Sequence, residues 1–179
     1  MFLPLNFIQL AASRVKIRAS LREYVIPILN AVSIVGRVLP GYLADHVGRF
    51  NMQLLMAVLT CLLVLCLWLP GQFTGSANGV LAFAGLYGFS MGAFVTLVPA
   101  VIAQVSPDMS KIGVRQGTAF AIVSVATLIG NPIGGALVTA WPEHLSGLII
   151  FTGITQAVGA FLILVAKLMI NNGQFLALV

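Results

Sequence analysis

The sequence predicts an all-α fold, a polytopic membrane bundle of about five transmembrane helices, and three observations predict it. Hydrophobic residues make up 60% of the 179 positions and charged residues only 7%, where soluble domains carry about 25% charge. A chain so poor in charge, with a mean hydropathy of +1.08, cannot clothe a water-facing surface, so its solvent must be lipid. Apolar runs then recur at lengths near the ~20 residues that a helix needs to cross the hydrocarbon core. Finally, short stretches holding Gly, Pro, Asn and most of the charge divide those runs. The net charge of +5 is scattered over these connections. It reads as helix-end anchors and topology signals, not as a nucleic-acid face. The expected partner is the lipid bilayer.

Residues 1–23 read as the remnant of a preceding helix followed by a basic loop. The apolar run from 2 to 12 is too short to span, and Arg14, Lys16, Arg18 and Arg22 follow it. A cleavable signal peptide has the reverse order, charge first. The stub is therefore an interfacial helix or the tail of a longer one.

Residues 24–170 read as a five-helix lobe, and 171–179 as a tail. The first span, Tyr24 to Ala44, carries Pro27 in its opening turn, where a lost N–H matters least. Pro40 is expected to bend its last turn. The second span, Met52 to Leu69, closes on Trp68 and Pro70-Gly71, and 71–78 reads as a Gly, Ser, Thr and Asn-rich loop. The third, Gly79 to Ala103, holds Gly88-x-x-x-Gly92. Two glycines on one face let a neighbouring helix come close, which is how helices pack when lipid removes the hydrophobic drive.

The next connection, Gln104 to Gln116, contains Asp108, Lys111 and Arg115, with Ser106 or Asp108 as a cap. The fourth span, Gly117 to Trp141, is centred on Gly130-Asn131-Pro132-Ile133-Gly134-Gly135. Asn131 and Pro132 read as a helix bend, since Pro132 frees one backbone carbonyl and the glycines let a partner close over it. In the fifth span, Leu145 to Ile170, Lys167 can snorkel to the interface. Trp68 and Trp141 fall on one side by parity, as an aromatic belt would. Cys61 and Cys66, five apart and on different faces, read as buried apolar fillers. Basic residues tie between the two sides, so charge alone does not orient the bundle.

Chemically active groups are scarce. No metal-ligand spacing, phosphate loop or nucleophile elbow occurs in the sequence, so no metal or cofactor is expected. An intramembrane enzyme would need several ionisable groups at one depth, which the spans do not offer. His46 reads as solvated, and Glu143 with His144 as a cap and turn. Gln104 and Gln156 are polar positions that spacing alone does not place. Arg37 stands apart: it lies inside an apolar run, where a positive charge costs roughly 3 kcal/mol to insert. Such a charge marks a pathway or a site and calls for an anion beside it. Downstream, Gly41-Tyr42-Leu43-Ala44-Asp45-His46-Val47-Gly48-Arg49 reads as a tight charged turn where two membrane helices reverse.

That turn resembles the signature loop of the major facilitator superfamily, and its flanks favour the copy between helices 8 and 9. The run Pro27-Ile28-Leu29-Asn30-Ala31 into Gly36-Arg37-Val38-Leu39-Pro40-Gly41 looks like helix 8 of monocarboxylate-type transporters, in a fungal-like branch. Leu86-Tyr87-Gly88-Phe89-Ser90-Met91-Gly92 and Gly130-Asn131-Pro132-Ile133-Gly134-Gly135 agree with it. The resemblance covers about residues 24 to 170 and implies helices 8–12 plus the end of helix 7, a C-terminal half whose N-terminal lobe is missing. It implies a secondary carrier of a small organic solute, such as a monocarboxylate, working by alternating access. Arg37 would bind the substrate carboxylate. Gly41, Asp45, Gly48 and Arg49 would form a gating loop that docks on a helix of the other lobe. In the proton-coupled animal branch an aspartate precedes this arginine by one turn, whereas Ser33 stands here, so that proton route is not expected. The implied location is the plasma membrane rather than an organelle. The alternative is a non-catalytic membrane subunit or assembly protein.

Overall fold

The computed structural model describes residues 2–15, 19–106, 108–141 and 145–170. Among these the chain is helical, without strands. The helices are α1 (Phe2–Arg14), α2 (Ala19–Glu23), α3 (Val25–Val47), α4 (Arg49–Phe73), α5 (Ala77–Gln104), α6 (Ile112–Ala140) and α7 (Ser146–Ile170). Five of them, α3 to α7, are long and apolar enough to cross a membrane. Glu143, His144 and the 171–179 tail lie outside the described residues.

Boundaries follow local chemistry. Ser76 caps α5, its hydroxyl oxygen accepting from the Gly79 N–H. Within α4, residues Leu63–Trp68 form a π-helical stretch, and the Leu69 N–H reaches back to the Val64 carbonyl. Pro70 follows at once. A proline in a helix removes one N–H and crowds the carbonyl four residues back, and a π-bulge is one way the ladder absorbs such a disturbance. As a result the helix continues to Phe73, three residues into the segment expected to be a loop. Likewise α3 runs unbroken through Pro40 to Val47.

The core has two centres, one at each end of the bundle. The larger joins Ile8, Val25, Leu29, Trp68, Phe83, Tyr87, Leu148 and their neighbours, from α1, α3, α4, α5 and α7. The smaller joins Ala44, Met52, Met56, Ala93 and Leu97. Between them α3 and α5 press backbone to backbone. A Cβ on Gly88 would strike the Leu29 carbonyl oxygen, one on Gly92 the Ser33 carbonyl, and one on Gly36 the Phe89 carbonyl. The three glycines form a reciprocal seam, two from α5 and one from α3. It brings Cα–H groups against carbonyl oxygens, a contact that recurs where helices meet closely.

Three expectations are corrected here. Trp68 is not a belt residue. It is fully buried and stacked on Phe83, with ring centroids 4.9 Å apart, because it occupies the inward face of α4, a face that parity counting cannot resolve. Lys167 is buried at 4% exposure instead of reaching outward. Cys66 is exposed on the outside of α4, while only Cys61 turns inward, its Sγ donating to the Gly153 carbonyl at 3.6 Å.

Trp68 supports a direct expectation. Trp68→Ala removes a stacked ring from the larger core and should cost about 3–5 kcal/mol of stability. The check is a lowered unfolding midpoint in detergent, with Trp141→Ala, at an exposed site, nearly unchanged.

Candidate functional site

Arg37 stands thirteenth in the 23 residues of α3. At 1.5 Å per residue it lies about 18 Å from one end and about 15 Å from the other. The buried face of α3 carries Val25, Leu29, Ser33, Gly36, Pro40 and Ala44 against α5. Arg37 flanks that face, exposed, on the same side of the helix as Asn30 two turns earlier. Among the described residues its guanidinium has no hydrogen bond and no ion pair. Two ion pairs among the described residues are peripheral, Arg49 with Asp45 and Lys111 with Asp108. The Ser33 hydroxyl donates within its own helix to the Asn30 carbonyl at 2.7 Å.

The expected Asp45 loop proves to be mostly helix. Asp45 and His46 belong to the last turn of α3, and Arg49 opens α4. The reversal is carried by Gly48 alone, whose φ of 95° is a conformation that favours glycine. Its N–H bonds the Ala44 carbonyl at 2.9 Å. Arg49 Nη2 lies 3.2 Å from Asp45 Oδ1 across this hinge. Among the described residues Asp45 meets no helix N-terminus by hydrogen bond. Gly41 has open space where a Cβ would go. His46 Nδ1 lies 3.1 Å from the Tyr42 carbonyl, and its ring tilts against Tyr42. With side chains 41% and 61% exposed, the Asp45–Arg49 pair should contribute less than ~1 kcal/mol to stability. A double-mutant cycle of Asp45→Asn and Arg49→Gln measured by thermal unfolding checks this; any larger importance must come from a contact beyond the chain.

The second polar feature is a cleft of about 470 Å³ where α1, α5, α6 and α7 meet. Its walls are Phe2, Leu3, Phe94, Val123, Ile129, Ile133 and Phe151, with Thr127, Asn131, Thr155 and Gln156 as polar members. Asn131 Oδ1 accepts from Asn6 Nδ2 at 2.9 Å, tying α6 to α1. Gly134 packs on Leu3, Phe7 and Leu148. The helix continues through Asn131 and Pro132 to Ala140. At the far end Arg115 Nη1 donates to the Val105 carbonyl and the Ser106 hydroxyl, and Gln116 Nε2 to the Pro99 carbonyl. These bonds anchor the start of α6 on the end of α5. Between its anchors α6 is largely bare.

Arg37 is not part of this cleft. Gln156 lines it, whereas Gln104 is exposed at the end of α5. Sequence reasoning did not find Asn6, whose signal was a strongly polar side chain inside a short apolar run. Nor did it find Phe94, Phe151 and Thr127, which look like any lipid-facing residue. Among the described residues no three His, Cys, Asp or Glu side chains gather as metal ligands.

Residues 11–172 match the family model for the Major Facilitator Superfamily. The chain belongs to this superfamily. An MFS-type transporter of Gibberella moniliformis is 41% identical over 174 residues, covering 97% of this chain and 41% of that protein. MFS-type transporter 1 of an Ophiocordyceps species is 40% identical over 172 residues, covering 96% of this chain and 37% of its own length. The aspyridones efflux protein of Emericella nidulans is 34% identical over 173 residues, covering 97% of this chain and 34% of its own. The chain thus spans roughly two fifths of the length of such superfamily relatives. No solved structure matches it. Superfamily membership and five apolar spans together make it a multi-pass integral membrane protein.

Proposed function

We propose that this chain is the second lobe of a superfamily transporter that carries a small organic solute across the membrane by alternating access. The observation that carries this reading is Arg37, a guanidinium halfway along an apolar helix with no anion or acceptor among the described residues. A cation left bare at that depth is costly and is stabilised by an incoming anion, which a planar fork of N–H donors grips in two-point fashion. The solute therefore bears a carboxylate or a similar group, a monocarboxylate being the simplest case. Several relatives are efflux proteins by name, which favours outward transport at the plasma membrane. Asp45, Arg49 and the Gly48 hinge serve as a gate, with Asp45 docking on a helix start in the opposite lobe, where free N–H groups favour a carboxylate. Ser33 cannot hold a titratable proton near neutral pH, so coupling to protons does not run through that position.

The test is reconstitution. This chain is combined in proteoliposomes with the first lobe of the Gibberella moniliformis relative, and labelled organic anions, lactate and benzoate among them, are offered. Accumulation above empty vesicles is expected with both halves present and none with this chain alone. Accumulation by this chain alone, or no accumulation of any anion by the assembled pair, would overturn the proposal.

A further inference from the structure

We infer that the cleft between α1, α5, α6 and α7 is a binding site for an uncharged, aromatic-rich organic molecule bearing a carbonyl group, separate from the anion site at Arg37. Among the described residues no charged side chain lines the cleft, and Phe2, Phe94 and Phe151 give it three aromatic walls. An ion would lose its hydration there and gain no counter-charge. The volume of about 470 Å³ suits a small organic ligand, for which pockets run from roughly 300 to 1,000 Å³.

The polar groups narrow the chemistry further. Gln156 Nε2 is shut off from solvent and has no hydrogen-bond partner. Asn131 uses its Oδ1 to accept from Asn6, which leaves its own amide N–H groups free. Thr127 and Thr155 spend their hydroxyl protons on the Val123, Phe151 and Thr152 carbonyls of their own helices. Among the described lining residues the unspent donors are thus two side-chain amides, one on α6 and one on α7. A buried amide N–H without an acceptor is unfavourable. The terminal torsion of Gln is broad, so the Gln156 amide turns into the cleft to meet a ligand carbonyl. The inference rests on the transport reading only for the source of the molecule, since binding is measurable without transport.

The experiment uses benzophenone, a neutral aromatic ketone that inserts into nearby C–H bonds under ultraviolet light. The full chain in lipid nanodiscs is photolabelled over a range of concentrations and the adducts are mapped by mass spectrometry. Saturable labelling of 123–133 and 151–156 is expected. Diphenylmethane, with the same rings and no carbonyl, should compete about five-fold less well than unlabelled benzophenone, as loss of one neutral hydrogen bond predicts. Gln156→Leu should weaken the saturable component by a similar factor. Because the diphenylmethane comparison is made on the unaltered chain, it holds even if that variant folds poorly. Labelling that never saturates and falls equally on exposed apolar residues away from the cleft, such as Val158, Phe161 and Leu162, or equal competition by the two probes, would overturn the inference. An anion-uptake failure with saturable labelling intact would sink the transport reading and leave this site standing.

Discussion

Replacing Gly92 with leucine should unfold the lobe, while leucine at Gly85 should not. At Gly92 the obstacle is the Ser33 carbonyl oxygen, part of a backbone that cannot rotate aside. Overpacking a yielding core costs about 1–3 kcal/mol; here the α3–α5 seam must separate, so the loss should sit at or above ~3 kcal/mol by that scale. Gly88→Leu should behave alike against Leu29, and Gly36→Leu against Phe89, because the three positions share one seam. Gly85 has nothing within contact distance and serves as the control. Thermal unfolding in a mild detergent, followed on a Cys66→Ala background by the fluorescence of a thiol-reactive dye on Cys61, separates the cases. Equal midpoints for the variants at 85 and 92 would mean that α3 and α5 are not held this way.

Arg37→Ala should cut uptake by the assembled transporter at least ten-fold without unfolding it. The side chain flanks the α3–α5 interface without a partner, so its loss strands no buried group in the fold. On the proposed function, what disappears is a charge-assisted pairing to the solute, worth roughly 1.5–3 kcal/mol, or a fall of about ten- to a hundred-fold in uptake at low solute concentration. Arg37→Lys keeps the charge but not the two-point fork and should retain an intermediate rate. Uptake and the unfolding midpoint are measured on the same preparations. If the midpoint falls in step with uptake, Arg37 is a structural residue and the site lies elsewhere.

Much of this architecture was legible in the chain because lipid imposes simple rules. Length and apolarity located five spans, since a helix that crosses hydrocarbon must satisfy its own backbone and stay apolar for about 20 residues. Element boundaries were harder. Gly48 alone suffices for the reversal at Asp45, so residues expected in a turn stayed helical. The π-stretch before Pro70 similarly carried α4 past its expected end. Facing was the least visible property. Gly88 and Gly92 announced a close approach, but nothing local named Leu29, Ser33 and Gly36 as the surface approached. Trp68 had the sequence position of a belt residue and the orientation of a core one.

The site was legible to a lesser degree. Arg37 was conspicuous because charge is so rare in these spans. The cleft was not, because Asn6 and Asn131 stand 125 positions apart and only the fold joins them. An apolar wall also carries no mark that separates a binding surface from one that merely faces lipid.

The most direct test is whether water reaches position 37 in the assembled transporter. Cys61 and Cys66 are replaced by alanine, a single cysteine is placed at Arg37 or at Leu39, and a membrane-impermeant maleimide is added. Two residues turn a helix by about 200°, so the two sites look in nearly opposite directions. Arg37→Cys should label, while Leu39→Cys stays unreactive. An Arg37→Cys variant as inert as Leu39→Cys would place the guanidinium against lipid and contradict a solute pathway along α3.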